Sequence, residues 1–145
     1  MAYSTDVAKA EAFARIVHAD QVDKAGVAYT EHLRRVAASV NGNREKVVAW
    51  LHDTVEDADV SIEQIKEMFG IHTAAAVLAM TRNKGEDYFV YVRRIKSNRV
   101  ARAVKIADLI DNLNLSRILA VRKVTAEDAK RVAKYARALN ILFDN

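Results

Sequence analysis

Not one proline interrupts the 145 residues of this chain, and glycine occurs only at Gly26, Gly42, Gly70 and Gly85, so breaks in regular structure are few and local. Apolar residues recur at three- and four-residue intervals, and no stretch alternates apolar with polar residues for long enough to argue for a sheet. The class that fits is all-α: a compact bundle of about eight helices, expected to form one domain over residues 1–145. A chain of this length buries an apolar core without a disulfide or a structural metal.

The periodicity predicts a first helix from about Asp6 to Asp20, with Ala10, Phe13, Ala14 and Val17 on one face, and a second from Thr30 to Val40 that carries His32. Asn43 is the expected N-cap of a third, which ends in the apolar run Val47 to Asp53. Ser61 with Gln64 makes a capping box for a fourth, stopped by Gly70. Further helices are predicted over Thr73 to Met80, Asp87 to Lys96, Val100 to about Leu119 and Thr125 to Phe143.

Cysteine is absent, which excludes thiolate nucleophiles, zinc-finger sites and a disulfide framework, and leaves only oxygen and imidazole ligands for a metal. The N-terminal segment has scattered charges and lacks a signal peptide's apolar core, and no uncharged apolar run reaches the roughly 20 residues that cross a bilayer. A cytoplasmic protein without a membrane partner is expected. The formal net charge of +4 suits an anionic partner such as a nucleotide. Lysine and arginine are dispersed along helices instead of gathered in a tail, and no nucleic acid partner is expected.

The segment richest in chemistry is Ala49-Trp50-Leu51-His52-Asp53-Thr54-Val55-Glu56-Asp57, an apolar helix closing on a His-Asp pair with two more acids one turn later. Burying His52 and Asp53 beside Trp50 and Leu51 is costly unless a cation neutralises the carboxylate. Imidazole and carboxylate ligands suit Mn²⁺, Fe²⁺ or Zn²⁺. Adjacent ligands cannot close a site alone, and two distant candidates stand out, His32 and Asp108. Asp108 and Asn112 are four apart with Lys105 one turn earlier, which places acid, amide and amine on one helical face. Taken alone, that run also reads as the solvated face of an amphipathic helix.

The ordered set His32, His52-Asp53, Glu56-Asp57 and Lys105-x-x-Asp108-x-x-x-Asn112 resembles the HD superfamily, and within it the hydrolase domain of the RelA/SpoT-type alarmone enzymes. The resemblance extends through His18-x-x-Gln21, Lys24-x-Gly26, Tyr29, Phe69-Gly70 and Thr81-Arg82, and so covers about residues 10 to 117. It implies a single Mn²⁺ held by His32, His52, Asp53 and Asp108, with Glu56 and Asp57 as the pair that orients or deprotonates the attacking water. It also implies Asn112 near the nucleotide, and Lys24 or Lys105 is expected to neutralise phosphate charge. His18 and His72 match no ligand position and are expected to be structural. Tyr88 and Tyr91, three apart, are expected in the core, with stacking on a base as the alternative.

The chain departs from that family pattern before His32. Where alarmone hydrolases read Arg-Lys-x-Gly-x-Pro-Tyr, this sequence has Asp23-Lys24-Ala25-Gly26-Val27-Ala28-Tyr29, and Leu33 replaces the proline after the histidine. The leading expectation is a Mn²⁺-dependent hydrolase of the 3′-pyrophosphate of guanosine tetraphosphate. The alternatives are a phosphohydrolase of another small phosphorylated metabolite and a nucleotide sensor without turnover.

Overall fold

Ten helices and no strand account for the regular structure of residues 5–144, the part of the chain that the computed structural model describes. They are α1 (Thr5–Val17), α2 (Thr30–Ala38), α3 (Asn43–Leu51), α4 (Thr54–Asp57), α5 (Ile62–Phe69), α6 (Ile71–Ala79), α7 (Tyr88–Ile95), α8 (Arg99–Asn112), α9 (Ser116–Leu119) and α10 (Ala126–Phe143). Eight of these are the helices read from the sequence, and α4 and α9 are single turns. Side chains start several of them. Asp87 accepts the backbone N–H groups of Phe89 and Val90 at 3.0 and 3.1 Å, Asn98 accepts that of Ala101 at 3.0 Å, and Ser61 that of Gln64 at 3.1 Å. Thr125 and Asp128 form a reciprocal capping box at α10.

Several boundaries move from the sequence expectation. Helix α1 stops at Val17, short of Asp20, and α3 is capped by Gly42, with Asn43 as its first residue. Gly70, at φ +94°, both ends α5 and opens α6 at Ile71. The helix expected to run from Val100 to Leu119 breaks after Asn112, because Asn114 Oδ1 accepts the N–H and the hydroxyl of Ser116 at 3.0 and 2.6 Å and starts a new turn.

The core is centred on α3, where Val47 through Leu51 are all buried. A helix apolar all round must be surrounded, and α3 packs against α1, α2, α6 and α8. Leu33 and Val36 of α2, Val77 of α6 and Val104 and Leu109 of α8 fill the same core, while α10 lies over α7 and α8 and contributes Ala138 and Leu142. Because α3 is central, its C-terminal His52-Asp53 pair is delivered into the middle of the bundle, beside α2 and α8. Among the described residues no helix is long and apolar enough to cross a membrane.

Candidate metal centre

The chain turns at Asp53, between α3 and the single turn α4, and Thr54 fixes that corner by donating its hydroxyl to the Leu51 carbonyl at 2.7 Å. His52 is fully enclosed there. Its Nδ1 lies 2.7 Å from the Ala49 carbonyl, which can only accept, so Nδ1 carries the proton and Nε2 presents a lone pair. That Nε2 has no hydrogen-bond partner and faces Asp53 Oδ2 at 3.2 Å and Asp108 Oδ1 at 3.4 Å. An acceptor buried against two carboxylates is stable only with a cation between them.

The second histidine repeats the arrangement from α2. His32 Nδ1 is 2.7 Å from Asp111 Oδ2, and its Nε2 is 2.8 Å from Asp108 Oδ1. Ligand atoms of His32, His52 and Asp53 all fall within 4.8 Å of one another, and Asp108 touches both rings. Two imidazole nitrogens and carboxylate oxygens in this arrangement fit one divalent ion of the first transition row. Burial opposes charge throughout the cluster, and electrostatics overrides it. Asp53 and Asp108 raise His52 well above the usual histidine value, while Lys105 and the histidines hold Asp108 well below the usual carboxylate range. The site therefore holds positive charge firmly.

Lys105 and Asn112, which the sequence reading put on the substrate, both point at Asp108 here: Lys105 Nζ donates to Oδ2 at 3.0 Å and Asn112 Nδ2 to Oδ1 at 3.2 Å. Glu56 and Asp57 sit one turn beyond the His-Asp pair, at the open side of the cluster. Glu56 accepts the backbone N–H of Arg82, and partial burial raises both carboxyls above their ordinary values. Carboxyls shifted upward beside a cluster of this kind are candidates for proton transfer.

Asp111 and Tyr29 had no assigned role in the sequence reading. Asp111 holds the His32 ring and is itself gripped by Arg35 at 2.8 and 3.1 Å and by Arg117 at 3.4 Å, an outer carboxylate of the kind that fixes a ligand's tautomer. Tyr29 donates its hydroxyl to Asp53. The signal for Asp111 was available in the paired i, i+3 spacings His32-x-x-Arg35 and Asp108-x-x-Asp111, which put both pairs on facing helical stripes. His18 is buried, 3.0 Å from Gln21 Oε1 and packed against the Tyr29 ring, so it buttresses the site from behind. His72 is exposed on α6.

A cavity of about 470 Å³ opens beside the cluster, lined among others by Asp23, Lys24, Tyr29, Asn112, Arg131 and Tyr135. Asp23 does not offer its Oδ1 to that cavity. The oxygen accepts the N–H groups of Ala25 and Val27 at 2.8 and 3.0 Å, closing the turn that Gly26 passes through at φ +82°. Tyr91 is a core residue whose hydroxyl donates to the Met80 carbonyl at 2.6 Å.

No family model matches the chain. Its sequence is 32% identical over 144 residues to a probable guanosine-3′,5′-bis(diphosphate) 3′-pyrophosphohydrolase of Synechocystis sp., an alignment covering 88% of this chain and 18% of the relative. It is 29% identical over 123 residues to the guanosine-3′,5′-bis(diphosphate) 3′-pyrophosphohydrolase of Aquifex aeolicus, covering 77% and 18%. With the Drosophila melanogaster enzyme of that name, MESH1, it shares 32% over 83 residues, covering 54% and 46%. The chain thus spans less than half the length of each of these curated relatives. In fold it matches the solved structure of a metazoan ortholog of SpoT with a TM-score of 0.78 at 24% identity, over 99% of this chain and 88% of that one. The chain is thus similar in sequence, over nearly nine-tenths of its length, to part of a probable guanosine-3′,5′-bis(diphosphate) 3′-pyrophosphohydrolase, and it shares the fold of the SpoT ortholog over almost all of its length.

Proposed function

We propose that this domain hydrolyses the 3′-pyrophosphate of a guanosine tetraphosphate-type nucleotide, with Mn²⁺ held by His32, His52, Asp53 and Asp108. The observation that carries the reading is the buried, unpartnered Nε2 of His52 facing two carboxylates, one turn from two acids with raised pKa values. The names of the three sequence relatives supply the substrate. A divalent ion, when bound, supplies a Lewis acid for the phosphoryl oxygens and lowers the pKa of water. The protein's residues do the rest. Asp111 and the Ala49 carbonyl hold the two imidazoles in the tautomer that exposes Nε2, and Lys105 and Asn112 keep Asp108 ionised and aimed. Glu56 or Asp57 takes the proton from the attacking water as its oxygen joins phosphorus, the bond from phosphorus to the ribose 3′-oxygen breaks, that oxygen takes up the proton to become the 3′-hydroxyl, and pyrophosphate is released. The nucleoside occupies the cavity between the Asp23–Tyr29 loop and α10, with Lys24 and Asn112 at its wall.

Assay of the Mn²⁺-loaded protein against a panel of nucleotides is expected to show pyrophosphate release from guanosine tetraphosphate. Release from a different phosphorylated metabolite alone reassigns the substrate, and tight binding without turnover makes the domain a sensor. Replacing Glu56 with Gln keeps the shape and removes the base, so turnover is expected to fall about 10²- to 10⁴-fold while metal content is unchanged. Wild-type turnover in that variant would move the role to Asp57.

A further inference from the structure

Beside the metal centre, on the side formed by α7, α10 and the loop after α6, the side chains of Lys134 and Arg82 carry positive charge, and among the described residues neither forms an ion pair with a carboxylate. Lys134 Nζ lies 4.6 Å above the Tyr88 ring, and the Arg82 guanidinium lies 5.8 Å from the same ring. Lys105 sits 5.5 Å from the ring of Tyr91, which in turn packs against Tyr88 at 5.9 Å. Among the described residues Lys134 has no carboxylate partner. Burial, together with Arg82, Lys105 and Arg131, pushes its pKa below the ordinary lysine value. The cations thus repel one another around an aromatic floor, an arrangement that costs free energy unless an anion joins it.

A second observation is independent of charge: the Tyr88 hydroxyl is buried and has no hydrogen-bond partner. Buried tyrosine hydroxyls are ordinarily satisfied, and one left open beside cations marks a place for an acceptor. The groups acting on that hydroxyl include Lys105, Tyr135, Asp108 and Arg82, so it faces the metal-centre side.

The frame around the cluster is rigid. Arg94 binds Glu86 at 2.9 and 3.0 Å and the carbonyls of Ala79 and Thr81 at 3.2 and 3.0 Å, fixing the loop that carries Arg82. The Arg82 side chain is anchored by Nε to the Glu86 carbonyl at 2.8 Å, and its backbone N–H is on the Glu56 carboxylate. The cluster and the proton-accepting acid are therefore joined through one residue.

We propose that Arg82, Lys134 and the Tyr88 hydroxyl form a phosphoryl-binding subsite next to the metal centre, separate from the nucleoside cavity, that holds the distal phosphate of the pyrophosphate being released. The proposal rests on the hydrolase reading for its place in the reaction, but the chemistry of the subsite does not. Arg82 and Lys134, both beside the Tyr88 ring, supply the charged donors to phosphoryl oxygens, and the Tyr88 hydroxyl supplies the neutral one.

The test is calorimetric titration of the metal-loaded protein with inorganic pyrophosphate, with metal content measured on the protein recovered afterwards. Lys134→Met keeps the aliphatic stem over the ring, and Tyr88→Phe keeps the ring. Each is expected to weaken pyrophosphate binding about tenfold, the size of one charge-assisted or buried hydrogen bond, with metal content unchanged. Lys130→Met on the same helix, at a lysine paired with Glu127 and well exposed, is expected to change affinity by less than twofold. Affinity within twofold of the parent in both Lys134→Met and Tyr88→Phe overturns the subsite. So does an equal loss in Lys130→Met, which would reveal general charge attraction. In the nucleotide assay the same two variants are expected to raise KM about tenfold. Absence of nucleotide turnover in the parent, with the pyrophosphate results as expected, would overturn the hydrolase reading and leave the subsite standing.

Discussion

Asp108 is the residue on which most of the site converges: it accepts from Lys105 and Asn112 at 3.0 and 3.2 Å, and its Oδ1 lies 2.8 Å from His32 Nε2. Its role and that of Asp111, three residues on, are distinguishable by experiment. His52→Ala removes a ligand and is expected to abolish bound metal, whereas Asp111→Asn only loosens the grip on His32 and is expected to weaken metal affinity about 10- to 100-fold. Elemental analysis at limiting and saturating metal separates the two, and full occupancy in His52→Ala would remove that histidine from the site. Asp23 is the other residue whose role depends on what it touches. It stands where the family pattern has an arginine. In the structure the carboxylate closes its own turn through two backbone N–H groups. Asp23→Arg is therefore expected to destabilise the protein by about 1–2 kcal/mol, and Asp23→Asn, which keeps the acceptor, by much less. Thermal unfolding of the two variants checks this.

Among the elements, α10 is tied down at its start by one carboxylate. Asp128 is buried, accepts from Arg122 at 2.7 Å and from the Thr125 N–H at 2.8 Å, and also pairs with Arg131. Arg122 foremost, then the capping N–H, holds its carboxyl well below the ordinary range. A carboxyl depressed in the folded state contributes stability that is complete above the unfolded pKa, about 3.9, and is lost as pH falls toward the folded value. The melting temperature is thus expected to be flat from pH 7 to 5 and to drop below about pH 4. Asp128→Asn is expected to melt lower at neutral pH and to show a shallower acid drop. Circular dichroism melts across that range decide it, and a parallel pair of curves would mean that the anchor contributes nothing pH-dependent.

For the whole molecule, the proposed metal ligands come from α2, from the corner after α3 and from α8, so a bound ion would staple three layers of the bundle together in addition to their apolar packing and the His32 and Arg35 contacts to α8. Metal at a hundredfold excess over its Kd is expected to stabilise the fold by about 2.7 kcal/mol, so chelation should lower the melting temperature by several degrees. An unchanged melting temperature on chelation would mean that the site forms no such staple. The amino-acid sequence by itself determined the helical class, eight of the ten helices and the Ser61 cap, because hydrophobic period and capping chemistry act over a few residues. The His-Asp pair inside an apolar run called for a cation, and the family resemblance implied His32, His52, Asp53 and Asp108 as the set that holds it. Only the tertiary structure decided that the Nε2 atoms of His32 and His52 converge, that Asp111 orients His32, and that Arg82 and Lys134 both lie against the Tyr88 ring. Those pairings join residues 76 to 79 positions apart at the metal site and helices α7 and α10 beside it. Local periodicity places each such side chain on a face, but which faces meet is set by how the whole core packs around α3.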